Sequence, residues 1–188
     1  IVIGDGFGTL TSLLLSSGLV KKVIFINLTK TLFVDVSNLL LLPEFKNKKS
    51  LILANTEDDM AKGIEDEDVR AIAVEAKNLC VLNASKATLV FNIASMQEMN
   101  MPQIEGYFSC LRALAKQDDV YFYCCNREAK ELPDGSLIQF EKYPWHTYDE
   151  HLVDELCPWH QYYYRLIPPR YPKYDGPIRH RYTKIRAI

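Results

Sequence analysis

Short hydrophobic runs alternate with amphipathic stretches over the first 125 residues of the chain. Several runs are apolar at consecutive positions and short, which is typical of strands covered on both faces. The predicted strands are 23–28, 51–54, 80–82, 88–94 and 120–125. Between them, apolar residues recur at helical spacing. The predicted helices are 9–17, 30–42, 69–78 and one that begins at Pro102. The acidic segment 56–68 is predicted to be exposed.

Alternating strands and helices predict a Rossmann-like α/β fold with a doubly wound, mostly parallel sheet and helices on both faces. The segment 131–137 carries Pro133-Asp134-Gly135, a turn signal between two short extended stretches. We therefore expect an antiparallel hairpin at a sheet edge in the C-terminal part. The length of 188 residues suits one domain, predicted as 1–145, with the Pro- and aromatic-rich tail 146–188 packed on it. Since Ile1 lies within a predicted strand, we expect a fragment of a longer chain.

The opening segment is the strongest local signal. The apolar run Ile1-Val2-Ile3 leads into glycines at positions 4, 6 and 8, and a helical stretch follows directly. Glycine permits positive φ and a close approach of a ligand to the main chain. The amides that open a helix can also bind a polar group. The segment predicts a nucleotide or nucleoside-cofactor site, and a strand-to-helix turn without a ligand is the alternative.

The spacing of these glycines distinguishes between cofactors. A dinucleotide fingerprint, Gly-x-Gly-x-x-Gly, would need glycine at position 9, where the chain has Thr9. The spacing found, with the third glycine at position 8, is similar to the first motif of S-adenosylmethionine-dependent methyltransferases.

Three stretches taken together resemble the sugar O-methyltransferase family of bacteria. They are the glycine segment 4–8, the segment 91–99 (Phe-Asn-Ile-Ala-Ser-Met-Gln-Glu-Met), and the segment 125–135 followed by Tyr143-Pro-Trp145. The likeness extends from the glycine loop to about Trp145. It implies a methyltransferase fold of class I type, S-adenosylmethionine as the cofactor, a sugar hydroxyl as the methyl acceptor, and a role in surface polysaccharide synthesis.

The resemblance also implies where the cofactor lies. The glycine loop would face its methionyl part, Asn27 its ribose, and the end of the 88–94 strand its methyl group. The residues so implied are Gly4, Asp5, Gly6, Phe7, Gly8, Asn27, Ala94, Ser95 and Met96. Two positions depart from the usual pattern, because Val2 and Asn27 stand where these enzymes commonly carry acids. An amide still bonds a hydroxyl, although the bond is weaker than a charge-assisted one.

Methyl transfer to a hydroxyl needs alignment of the two reactants and removal of the hydroxyl proton. Glu98 is the first candidate for the general base, because it follows a strand end where acceptors bind. The alternative is that Glu98 has only a structural role, as a carboxylate stabilised by the backbone amides at the start of a helix. His146 is the second candidate, with an ordinary loop histidine as its alternative. The histidines and acids at 146–160 match no zinc spacing, and we expect no metal.

Charge and cysteine content indicate little about the function of residues 1–145 and more about the tail 146–188. The net charge is −2, no apolar run approaches the length of a membrane span, and the five cysteines fit a reducing, cytoplasmic compartment. From Arg165 onward, however, seven Lys or Arg residues face one acid, with tyrosines between them. These cations either pair with the acidic body or bind a phosphorylated or nucleotide-linked sugar.

Competing functions remain at this stage. One is an inactive methyltransferase-fold domain that binds a sugar or a partner. The others are a nicotinamide-dependent enzyme and, fourth, a nucleic-acid binder.

Overall fold

A central eight-stranded sheet organises the molecule. The computed structural model describes residues 1–45 and 48–187. The strands are β1 (Val2–Ile3), β2 (Val23–Asn27), β3 (Leu51–Leu53), β4 (Ala71–Glu75), β5 (Leu89–Ile93), β6 (Val120–Arg127), β7 (Ala129–Glu131), β8 (Leu137–Gln139), β9 (Glu150–Leu156) and β10 (Ile178–Ile185). The helices are α1 (Thr9–Ser16), α2 (Thr29–Leu39), α3 (Glu57–Glu65) and α4 (Met101–Ala115).

The strand order in the sheet is β3-β4-β2-β1-β5-β6-β10-β9. The first six strands in this order pair in parallel. β10 pairs antiparallel with β6 on one side and with β9 on the other. The predicted fold class, a mostly parallel Rossmann-like sheet with an antiparallel C-terminal hairpin, is confirmed.

Alternating side chains of the parallel strands supply a core on each face of the sheet. On one face Val2, Phe25 and Ala73 pack with Leu15 of α1 and Leu32 of α2. On the other face, residues such as Ile26, Val74 and Phe122 pack with α3 and α4. The helix predicted to begin at Pro102 forms as α4, and its apolar face, made of Ile104, Tyr107, Phe108, Leu111 and Leu114, is buried.

The hairpin predicted around Pro133-Asp134-Gly135 forms, but not at the edge of the main sheet. β7 and β8 pair antiparallel around a turn with Gly135 at φ +83°, but they make a separate two-stranded sheet. The antiparallel strands of the main sheet, β9 and β10, come instead from the tail 146–188. The turn signal is local, whereas attachment to the main sheet depends on partners distant in sequence.

Two predicted elements are wrong. The segment 69–78 contains β4 rather than a helix, and Ala71, Ile72, Ala73 and Val74 are all buried. A four-residue buried run fits the centre of a parallel sheet, and spacing alone does not separate it from a helix. The segment 80–82, predicted as a strand, lies in a 3₁₀ segment, Ala76–Ala84. Among residues 1–45 and 48–187, no helix combines the length and apolar character needed to cross a bilayer.

Candidate functional site

A cavity of about 760 Å³ lies where the parallel strands β1, β2, β4 and β5 end. Carboxyl ends of parallel strands, at the point where the order reverses from β2-β1 to β1-β5, are the usual ligand position in such sheets. The lining residues are Gly4, Gly6, Ile26, Asn27, Leu28, Thr31, Ala76, Lys77, Leu79, Ala94, Ser95, Glu98, Met99, Pro102, Gln103, Gly106 and Tyr107. The volume is within the roughly 300–1,000 Å³ typical of small-molecule sites.

The three glycines of the opening loop have positive φ, between +69° and +81°, but different surroundings. A Cβ at Gly4 would lie 2.2 Å from the Ser95 Oγ, so this position is closed by the protein itself. A Cβ at Gly8 would lie 3.0 Å from the carbonyl oxygen of Asp35 in α2. A Cβ at Gly6 would meet no atom within 4 Å, and Gly6 lines the cavity. Gly6 is therefore where bare main chain faces open space.

Asp5 binds the start of α1. Its Oδ1 accepts from the backbone N–H of Leu10 at 2.7 Å, and its Oδ2 accepts from that of Thr11 at 2.8 Å. These are two of the N–H groups that a helix start leaves unpaired. The sequence-based expectation that these amides bind a ligand is therefore corrected, because a carboxylate of the chain already occupies them.

Asn27 lines the cavity with its side chain already hydrogen-bonded. Its Nδ2 donates to Asp35 Oδ2 at 2.9 Å, and its Oδ1 accepts from the Leu28 N–H at 3.0 Å. Asp35 is fully buried, and its Oδ1 has no hydrogen-bond partner among the residues that the structure describes. Burial, with a smaller contribution from the nearby Asp5 charge, raises the pKa of Asp35 despite the hydrogen bond from Asn27. The side-chain amide of Asn27 is therefore a hydrogen-bond donor to the buried carboxyl group of Asp35.

Two buried asparagines hold the turn that follows β5. Asn92 Nδ2 donates to the Ile3 carbonyl at 3.0 Å, and Asn92 Oδ1 accepts from the Met96 N–H at 3.2 Å and from Asn126 Nδ2 at 2.8 Å. Asn126 Oδ1 in turn accepts from the Gln97 N–H at 3.1 Å. Both asparagines are fully buried. The network joins β1, β5 and β6 and fixes residues 94–98 at the cavity.

Ala94 opens this turn in an unusual backbone conformation. Its φ is +57°, which costs an L-residue with a Cβ about 1–2 kcal/mol. The neighbouring Ser95 donates its hydroxyl to the Ile3 carbonyl at 3.0 Å and packs against Gly4. Met96 points the other way and is fully buried in the core. Ala94 and Ser95 thus line the cavity, and Met96 supports them from beneath.

Glu98 lies at the rim of the cavity with a cation beside it. Its Oε1 is 3.1 Å from Lys130 Nζ of β7, and about half of its side chain is exposed. In addition, Gln97 Oε1 accepts from the Arg127 N–H at 2.8 Å. The three stretches that carry the family resemblance therefore meet at one place, through Gly4 with Ser95, Gln97 with Arg127 and Glu98 with Lys130.

Sequence reasoning missed a polar group at the ends of β2 and β4. Glu75, paired in register with Asn27, accepts a hydrogen bond from the Thr29 hydroxyl and lies 2.6 Å from Lys77 Nζ. The hydrogen bonds from Lys77 and Thr29 lower the pKa of Glu75. Lys77 itself lines the cavity. The wrong helix prediction for 69–78 concealed this pair, since a strand ending at Glu75 would have placed it beside Asn27.

Five of the predicted site residues do not line the cavity, namely Asp5, Phe7, Gly8, Met96 and His146. His146 donates its backbone N–H to Asp149 at 2.8 Å, and Asp149 also accepts from the Arg186 N–H. Arg186 follows β10, and the end of β10 pairs with the beginning of β6. This corner therefore lies at the amino ends of the parallel strands, whereas the cavity lies at their carboxyl ends. The placement gives His146 no geometric basis for a role with Glu98. Phe7, on the loop, is 68 % exposed and is not among the lining residues.

Cations of the tail fall into two groups. Those of β10 and its end form ion pairs with acids: Arg179 with Glu128 and Asp154, Arg181 with Glu141 and Asp154, Lys184 with Asp119, and Arg186 with Glu150. These four cations therefore pair with acids of the chain before Arg165, as one of the two interpretations of the tail expected. Arg165, Arg170 and Lys173 lie on the segment between β9 and β10, are exposed, and have no ion pair within the described part of the chain.

Comparison with known proteins adds no assignment. No protein-family model matches the chain, and no curated protein matches it either. The resemblance to sugar O-methyltransferases therefore stays a prediction that rests on the three stretches of sequence.

Proposed function

We propose that the chain is an S-adenosylmethionine-dependent O-methyltransferase that transfers a methyl group to a sugar hydroxyl. The observation that carries the proposal is the open main chain at Gly6, which faces a cavity of about 760 Å³ at the switch point of the sheet. Glycine spacing and the position of the cavity agree with a nucleoside cofactor lying over the strand ends. When bound, the cofactor supplies an activated methyl group on a sulfonium.

The start of α1 favours this cofactor over a dinucleotide. A pyrophosphate binds at a helix N-terminus through free amides and the helix dipole. Here the Asp5 carboxylate takes the N–H groups of Leu10 and Thr11, and its charge repels a phosphate. The same charge attracts a cation such as the amino group of a methionyl moiety. The nicotinamide-dependent alternative loses support on this ground.

The acceptor side of the proposal rests on the rim of the cavity. Glu98 is the carboxylate that lines it at the end of β5, and half of its side chain is open to solvent. A carboxylate in this position can accept the proton of a sugar hydroxyl as the methyl group is transferred. Lys130, whose Nζ lies 3.1 Å from Oε1, holds the carboxylate in place.

A second function, an inactive domain of the same fold that binds a sugar or partner, is favoured by one observation. Asn27 stands where an acid usually binds ribose, and its Nδ2 already donates to Asp35 at 2.9 Å. The ribose contact would then depend on the second lone pair of its Oδ1. Cofactor titration separates the two functions.

The test compares two glycine substitutions with equal backbone strain. Gly6→Ala and Gly18→Ala both place a Cβ at positive φ, +81° and +70°, with no atom within 4 Å. Each should lose about 1 kcal/mol of folding free energy. Only Gly6 lines the cavity, so only Gly6→Ala should weaken the binding of S-adenosylhomocysteine, measured by isothermal titration calorimetry, by about tenfold or more.

Equal affinity of the two variants would remove the glycine loop from the cofactor site. Absence of any heat with the unsubstituted protein, together with no thermal shift, would favour the inactive domain. If the cofactor analogue does bind, the next step is a search for a sugar that accepts the methyl group.

A further inference from the structure

The segment 158–177, which we call the aromatic arm, extends from the sheet between β9 and β10. Its two legs pair antiparallel at Tyr162–Lys173 and Arg165–Arg170. Gln161 fastens the base, because its Nε2 donates to the carbonyls of Cys157 and Ile178, both at 2.7 Å. The arm is thus an ordered projection with a fixed root.

Rings are exposed along the whole arm. Trp159, Tyr162, Tyr163, Tyr164 and Tyr171 each expose between 41 % and 71 % of their surface. Soluble proteins rarely leave so many aromatic side chains uncovered in one segment without a binding role. Near the base, Tyr162 and Lys173 line a second cavity of about 560 Å³.

The register divides the cations and rings of the arm between two faces. Tyr162, Tyr164, Tyr171 and Lys173 fall on one face, and Arg165, Arg170, Tyr163 and Tyr174 on the other. Arg165 and Arg170 exchange both backbone hydrogen bonds, at 2.9 and 3.0 Å, so they lie directly opposite each other. Tyr163, two residues before Arg165, belongs to the same face, and its ring lies 5.2 Å from that of Tyr174. Two like charges directly opposite each other are destabilising. An anion between the two guanidinium groups would remove that cost.

This face continues to the edge of the sheet that carries the cofactor cavity. The Arg127 guanidinium lies over the Tyr174 ring at 5.5 Å, and its Nε is buried without a partner. Arg127 ends β6 and donates its backbone N–H to Oε1 of Gln97, the neighbour of Glu98. Two tyrosine rings, Tyr174 and Tyr163, therefore lie between Arg127, near the rim of the cavity, and the Arg165–Arg170 pair farther out.

We infer that this face of the aromatic arm binds an anionic saccharide, whose acidic groups pair with the arginines and whose sugar ring packs against Tyr163, which is 41 % exposed. The choice of a saccharide rests on the proposed sugar-modifying function. Arginine suits carboxylate and phosphate groups equally through bidentate bonds, so the acidic group is of either kind. Tyrosine rings offer an apolar face together with a hydroxyl.

A nucleic acid fits the surface less well. Single-stranded nucleic acid is held by a basic groove that follows the phosphates over several nucleotides. The arm has three cations and Asp175, and the chain as a whole carries a net charge of −2. Its isolated cations suit a ligand with sparse charges better than a polyphosphate backbone.

The experiment titrates the full chain, without cofactor, with four probes: hexagalacturonate, a phosphorylated mannose oligosaccharide, neutral maltohexaose and a short oligothymidylate. Hexagalacturonate or the phosphorylated probe should bind about tenfold more tightly than maltohexaose, and whichever binds identifies the acidic group. The double variant Arg165→Gln/Arg170→Gln should lose about tenfold in affinity for it. The control Lys21→Gln/Lys116→Gln removes the same charge from exposed positions elsewhere and should change affinity less than about twofold.

Three results would overturn the inference: neither acidic saccharide binding better than maltohexaose, equal affinities of the two double variants, or tightest binding of the oligothymidylate. The titration with S-adenosylhomocysteine is run separately on the same variants and should be unchanged by the arm substitutions. Failure of the cofactor proposal and failure of the arm inference are thereby distinguished.

Discussion

Replacing Asn92 by leucine should be among the most costly single substitutions in this fold. Leucine has the same branching and the same number of side-chain heavy atoms as asparagine but makes none of its hydrogen bonds. The Met96 N–H loses the partner that it has at 3.2 Å, while the Ile3 carbonyl and Asn126 Nδ2 lose one of their partners each. All of these groups lie in the interior, where water does not replace the lost bond.

The magnitude follows from those three groups. A buried group left without a partner costs about 1–3 kcal/mol, and the two groups with a remaining partner cost less. We expect a loss of about 2–5 kcal/mol, a large share of the total of about 5–15 kcal/mol typical of a domain. In a chain of this length the melting temperature should fall by roughly 2–4 °C for each kcal/mol lost.

Urea unfolding followed by circular dichroism measures the change, provided that the slope with denaturant stays constant. The control is Asn38→Ala, which removes one bond to the Phe7 carbonyl, at 3.1 Å, in a less buried setting and should cost less than about 1 kcal/mol. If Asn92→Leu cost no more than this control, the network would not hold the 94–98 turn. A double-mutant cycle with Asn126→Leu should give coupling of about 0.5–3 kcal/mol.

Three further predictions concern the turn, the rim and the opposite edge of the sheet. Ala94→Gly relieves a positive φ of +57°, and after the added chain entropy of glycine it should stabilise the fold by up to about 1 kcal/mol in urea unfolding; a loss of stability would contradict strain at this residue. Glu98→Gln should lower turnover of a competent acceptor by about a hundredfold, and unchanged turnover would exclude a base role. Burial alone would raise the pKa of Asp149, but hydrogen bonds from Arg112 and two backbone N–H groups outweigh it and lower the pKa. Its stabilisation is therefore complete above the unfolded value of about 3.9 and is lost as pH falls through the lower folded value, so Asp149→Asn should flatten the acid limb of the stability curve.

The sequence predicted the parallel half of the fold well, because local periodicity and turn signals act within each element. Helices α1, α2 and α4 and strands β2, β5 and β6 lie where their patterns indicated, within a few residues. The prediction for the β4 segment was wrong because its short buried run has no periodicity that distinguishes a strand from a helix. Whether the run forms a strand depends on pairing with β2 and β3 on either side. The sequence pattern did not predict β9 for a related reason. β9 is a largely exposed edge strand and carries no apolar run.

The candidate site was predicted in part. Gly6, Asn27, Ser95 and Glu98 line one cavity, as positions at strand ends allow. Asp5 was expected near a ligand, but its carboxylate binds the helix that follows, a contact that depends on how the loop closes. No sequence spacing distinguishes those two uses of an acid within a glycine loop.

Because β10 lies between β6 and β9, the sheet cannot be completed in the order in which the chain is synthesised. β9 leaves the ribosome first, yet its partner in the sheet is β10, which follows some twenty residues later with the aromatic arm between them. Until β10 docks on β6, the parallel half keeps an open edge at β6, which is a hazard for pairing with other chains. We expect docking of β10 to be a late step that closes this edge and sets the arm in place at the same moment.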